Sequence, residues 1–139
     1  MERPIGYWLK HLDGLIEAAF DRTLAAQQLT RRHWQAMNAV ANAALDEHGL
    51  GEALRPFWGA GGITLGEVTG DLERRGWIAR GGDGRYTLTP RGEATHAAVR
   101  EQVQAIRGRM IEGLTEQEYH ATVRVLRRMA ENLEELPVR

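Results

Sequence analysis

The chain contains neither cysteine nor serine. Without cysteine there can be no disulfide, no thiolate nucleophile and no cysteine-held zinc. Without serine as well, no Ser- or Cys-based nucleophilic centre can be built. Only one basic residue, Lys10, is a lysine; the rest are arginines, and with abundant Ala and Gly this suggests a GC-rich coding bias. Arginine number alone is therefore weak support for nucleic acid. No apolar run approaches the roughly 20 residues of a membrane span. Lys10, His11 and Asp13 interrupt any signal-peptide core, so a cytoplasmic protein with no membrane partner is expected. The glycine cluster at residues 59–62 lacks the Lys-Thr that follows a phosphate loop. No two of the five histidines (His11, His33, His48, His96, His120) stand three or four apart, so no helical metal pair exists. No catalytic residue, metal or cofactor is expected.

What is present is patterned charge on a nearly neutral chain. At 139 residues and net charge −1, the protein is one domain or one integrated protomer with no global positive field. Local patches still act on phosphate, because screening confines each field to roughly 8 Å at physiological salt. One such patch lies in residues 72–92, "LERRGWIARGGDGRYTLTPRG". It carries Arg74, Arg75, Arg80, Arg85 and Arg91, with Asp83 the one acid between the first and last. The pattern predicts a helix end, a strand, a Gly-Gly-Asp-Gly turn, a second strand and a fresh helix start. A two-stranded wing tipped by arginine is suited to reach a DNA groove.

The remaining chain reads as helices. Ile5, Trp8, Leu9, Leu12, Leu15, Ile16, Ala19, Phe20 and Leu24 recur at helical spacing, predicting one long helix over residues 4–26. Thr30 can cap a second helix running to about Leu45, and a short helix is expected over 51–58, limited by Pro56. Thr64-x-x-Glu67 and Thr115-x-x-Glu118 are capping-box patterns, and Thr89-Pro90 is a cap with a first-turn proline. The expected fold is mainly α with a small β wing. Residues 30–89 form a winged helix-turn-helix, and residues 1–29 and 90–139 form helices whose apolar faces suit a C2 homodimer.

These features resemble the MarR/SlyA family of regulators. "LTRRHWQAMNAVA" at residues 29–41 looks like that family's second-helix opening, and "LERRGWIAR" at 72–80 like its recognition-helix ending and first wing strand. "DGR" at 83–85 matches its Asp-x-Arg wing motif, "LTPRG" at 88–92 its helix restart, and "LTEQEYHATVRVLRRMAENLE" at 114–134 its final helix. The likeness covers nearly the whole chain. Three places depart from it. The wing is short, "LRPFWGAGGI" at 54–63 replaces a polar helix-turn, and Glu67 and Asp71 stand where basic residues are common.

The resemblance implies a homodimeric transcriptional regulator, a repressor, on a pseudo-palindromic site in double-stranded DNA. Arg85 then reads the minor groove, its alternative being a solvated pair with Asp83. The recognition helix presents Thr64, Glu67, Gly70, Asp71, Arg74 and Arg75. Glu67 either accepts from cytosine N4 or closes the capping box with Thr64. Arg74 and Arg75 grip phosphates, suit the helix dipole, or both. Arg31 and Arg32 reach the backbone or are bare surface charge, and Arg80 belongs to the basic wing. Trp8, His11, Leu12, Trp34 and Met37 either line a crevice for a small aromatic or phenolic effector or are ordinary core. The rival reading is a MarR-like dimer that has lost DNA and serves ligand sensing or protein interaction.

Overall fold

The computed structural model describes residues 2–59 and 61–136; Ala60, within the expected glycine turn, lies outside them. In chain order the elements are α1 (Ile5–Leu24), a single 3-10 turn (Ala25–Gln27), α2 (Arg31–Asn42), α3 (Glu47–Leu54), α4 (Leu65–Arg74), β1 (Ile78–Arg80), β2 (Tyr86–Leu88), α5 (Pro90–Met110) and α6 (Glu116–Glu134). The chain divides into two compact units, Met1–Ile106 and Arg107–Arg139.

Within the first unit, caps set most of the boundaries. Thr30 and Thr64 close capping boxes on α2 and α4. Asp46 caps α3 by accepting from the Gly49 amide at 2.7 Å, which starts that helix four residues before the expected position. The second helix is shorter than its periodicity predicts. It stops at Asn42 because Leu45 leaves the helix to pair with the hairpin, its carbonyl accepting from the Tyr86 amide at 2.8 Å. β1 and β2 are antiparallel, with Ile78 opposite Leu88 and Arg80 opposite Tyr86. Three residues per strand make a stubby wing, as its sequence predicts.

Two apolar clusters hold this unit together. One joins α2, α3, α4 and the hairpin through Met37, Val40, Leu50, Leu54, Val68, Leu72, Ile78 and Tyr86. The other joins the C-terminal half of α1 to α2 and α5 through Phe20, Leu24, Leu29, Trp34 and Val99. Each fully buried Leu or Val contributes roughly 1.5–3 kcal/mol relative to exposure. The N-terminal half of α1 joins neither cluster: Ile5, Trp8, Leu9, Leu12 and Leu15 are all exposed.

In the second unit, Thr115 and Glu118 close a third capping box, and α6 leaves Val123, Met129 and Leu133 exposed. Arg107 donates to Glu116 at 2.9 Å and lies over the Tyr119 ring at 4.3 Å. Among the described residues no helix is long and apolar enough to cross a membrane.

Candidate nucleic-acid interface

The site is built on α4 and the wing. At the start of α4 the Thr64 hydroxyl accepts from the Glu67 amide at 3.2 Å, while Glu67 Oε1 accepts from that hydroxyl at 2.9 Å and from the Thr64 amide at 3.2 Å. Those bonds, the hydroxyl's first, hold the Glu67 carboxyl below its ordinary range. Gly66, Glu67, Glu73 and Arg74 face solvent, and Gly70 is half-buried. A side chain added at Gly66 would meet nothing within 4 Å, so the backbone there is open to close approach. The Arg74 side chain is 73% exposed, and among the described residues its one ion pair is with Asp71, at 3.4 Å.

The other basic residues divide sharply. Arg85 sits at the end of the wing turn, exposed. The turn closes through Gly84, in the left-handed region at φ 80°, whose amide donates to the Gly81 carbonyl at 3.0 Å. Asp83 accepts from the Arg85 backbone amide at 3.0 Å, a bond that helps close the turn. Among the described residues the Arg85 guanidinium takes part in no ion pair. Arg80 is instead occupied: it lies over the Tyr86 ring, bonds its hydroxyl, and approaches Glu47 at 3.7 Å.

Arg32, Arg75 and Arg31 also serve the fold. Arg32 donates to the Ile63 carbonyl at 2.8 Å and the Gly59 carbonyl at 3.3 Å, and covers Trp58 at 4.8 Å. It thereby ties down the proline- and glycine-rich segment before α4. Arg75 donates to the carbonyls of Gln27 and Gln28 at 2.8 and 2.9 Å and covers Trp77 at 5.0 Å. Arg31 pairs with Asp13 at 2.8 Å and Glu17 at 3.6 Å. Sequence reasoning could not see these commitments, because the partners lie far away along the chain.

It also passed over His33, which is buried beneath α4. His33 Nδ1 accepts from the Thr30 amide at 3.1 Å, and a backbone amide can only donate. The neutral ring proton is thus placed on Nε2, which donates to Asp71 Oδ2 at 2.9 Å. Burial, then Arg75, outweigh the pull of Asp71, so the His33 pKa lies below its ordinary value. For Asp71, burial pushes upward, but Arg75 and His33 win and the carboxyl is held below its usual range.

The sign follows from linkage. A depressed His33 is neutral in the native state where the unfolded chain already binds a proton. Its contribution is complete above the unfolded value of about 6.5 and is lost as pH falls through the lower folded value. Stability should therefore be level near pH 8 and fall below pH ~6.5, by at most about 1.4 kcal/mol per pH unit per histidine. His96, lowered by burial and then by Arg100, acts in the same sense. Urea unfolding of the wild type and His33→Asn from pH 8 to 5.5 measures this; an equal slope in both would remove His33 from the account.

The five candidate effector residues do not share one cluster. Met37 is fully buried in the winged core and Trp34 belongs to the second cluster, stacked on His96 at 5.0 Å. Trp8, His11 and Leu12 lie exposed on α1, where Trp8 and His11 pack with Tyr7. Among the described residues no group of three His, Asp or Glu side chains is placed to hold a metal.

The architecture defines a winged helix-turn-helix, and it is the one found in solved MarR-family regulators. The transcriptional regulator PA3341 superposes with TM-score 0.79 at 22% identity, over 96% of this chain and 100% of that one. The Mycobacterium tuberculosis MarR family protein Rv2887, solved in complex with DNA, gives 0.74 at 22% identity over 92% of this chain and 98% of that one. It has also been solved with salicylic acid and with p-aminosalicylic acid. Reduced Escherichia coli MarR gives 0.71 at 18% identity, over 93% of this chain and 95% of that one. No protein-family model matches the sequence.

Proposed function

We propose that the chain is a MarR-family transcriptional regulator, a cytoplasmic homodimer that represses by binding a pseudo-palindromic DNA site and answers to a small planar aromatic effector. The observation that carries the proposal is the exposed face of α4 beside a wing whose exposed Arg85 guanidinium takes part in no ion pair among the described residues. This pair stands on a fold that Rv2887 presents in a complex with DNA. In the dimer, the two α4 helices would enter successive major grooves about 34 Å apart.

The homodimer is supported by exposed apolar rows on α1 (Ile5, Trp8, Leu9, Leu12, Leu15) and, separately, on α6 (Val123, Met129, Leu133). Rows of this kind at helical spacing cost solubility unless a second copy covers them. The effector rests on the complexes of Rv2887 with salicylic acid and p-aminosalicylic acid, since the candidate residues Trp8, His11, Leu12, Trp34 and Met37 are not gathered into one pocket.

In this reading the role of α4 and the wing is recognition rather than catalysis. The expected outcome is a dimer mass by size exclusion together with a gel shift on the chain's own upstream DNA, weakening steeply with salt. A dimer retained on no DNA at low or moderate salt would favour a ligand-sensing or protein-interaction role, which the acidic Glu67 on the α4 face would then explain.

A further inference from the structure

We propose that Asp71 is a positioning residue, the strut through which α4 is held at a set rotation against the corner between α1 and α2. The inference rests on the DNA-binding reading above. Asp71 and Arg75 stand one helical turn apart, on the shoulder of α4 between its buried Val68–Leu72 stripe and its outward face. Their carboxylate and guanidinium meet at 3.0 Å. From this pair two arms reach the same corner. Arg75 donates to the carbonyls of Gln27 and Gln28, the latter in the left-handed conformation at φ 56°. Asp71 accepts from His33, whose other nitrogen closes the cap of α2 on Thr30.

Residues 27–30 and 33 are thus gripped from two sides by one turn of α4. A rotation of α4 about its axis would break both arms together, leaving a half-buried carboxylate and a buried imidazole unpaired. Asp71 therefore acts on DNA through the angle at which Glu67, Gly70 and Arg74 are presented. It differs in this from Arg74, whose one ion pair among the described residues is a long one to Asp71 and whose exposed guanidinium can meet a phosphate.

The test compares full-length Asp71→Ala and Asp71→Asn with the wild type, well below every unfolding midpoint. Affinity for a duplex selected by the wild type from random DNA, the sequence each variant itself selects, and amide hydrogen exchange at Gln28, Leu29 and Arg75 are measured. The alanine variant is expected to bind about tenfold more weakly, to select the same sequence and to exchange faster at all three amides. Asparagine, which still accepts from His33 Nε2–H, is expected to restore most of both. A changed base preference with unchanged exchange would make Asp71 a base contact and overturn the strut, as would unchanged affinity and exchange. Should the wild type select no DNA, the functional proposal fails on its own, and the exchange rates still decide whether Asp71 holds the corner.

Discussion

Alanine at position 92 is expected to cost the fold about 3 kcal/mol or more, the upper end of what overpacking does. A side-chain carbon built there would lie 1.8 Å from the Trp77 carbonyl oxygen and 2.7 Å from its carbon, both backbone atoms with no freedom to swing aside. That oxygen is already fixed, accepting from the Thr89 amide at 3.0 Å, and the Gly92 amide donates back to the Thr89 hydroxyl at 3.0 Å. The first turn of α5 is therefore laid directly on the backbone leading into the wing. For a domain of this size the thermal midpoint should drop by about 10 °C or more. The same change at Gly108, farther along α5, meets nothing within 4 Å and should instead stabilise by about 0.5–1 kcal/mol. Calorimetry on both variants separates a helix-wide preference for alanine from the local collision, and a wild-type midpoint for Gly92→Ala would refute the close contact.

The second large effect is expected at Arg85. Arg85→Ala should lower DNA affinity by roughly 10- to 100-fold at moderate salt, since the proposed dimer would lose two wing cations at once. The dependence of log affinity on log salt should flatten by about one to two units. Stability should stay within about 0.5 kcal/mol, because the side chain is exposed and only the backbone of residue 85 takes part in the turn. Anisotropy titrations across a salt series give both quantities. Equal affinity and slope in variant and wild type would take the wing out of the mechanism and leave α4 alone to carry recognition. Arg75→Ala should show the opposite signature, lost stability, because its guanidinium holds two carbonyls and Asp71.

Much of this architecture was legible before any coordinates. Thr30, Thr64 and Thr115 each precede an apolar period, and all three cap the helix expected of them. The Gly-Gly-Asp-Gly turn placed the hairpin to within a residue, because few other residues accept its left-handed Gly84. Local errors had local causes. Asp46 caps α3, which starts four residues ahead of the position expected at residue 51, and α2 stops short of the expected Leu45, an end not legible in helical spacing because that spacing carries no sign of a bridge formed 41 residues later.

The candidate site was harder to read, for a different reason. Among its ten residues, Arg32, Asp71, Arg75 and Arg80 are held by partners elsewhere in the first unit, whereas Arg74 and Arg85 face outward. A charged residue looks the same in a sequence whether its partner is water, phosphate or a carbonyl 48 residues away.

Composition, helical period and turn chemistry were enough to specify which segments become helix and which become wing, because those preferences act over a few neighbouring residues. Which arginines remain available, why position 92 admits only glycine, and how α4 is angled on its neighbours were settled by packing alone. Those properties depend on where distant parts of the backbone come to rest, and only the folded chain brings those parts together.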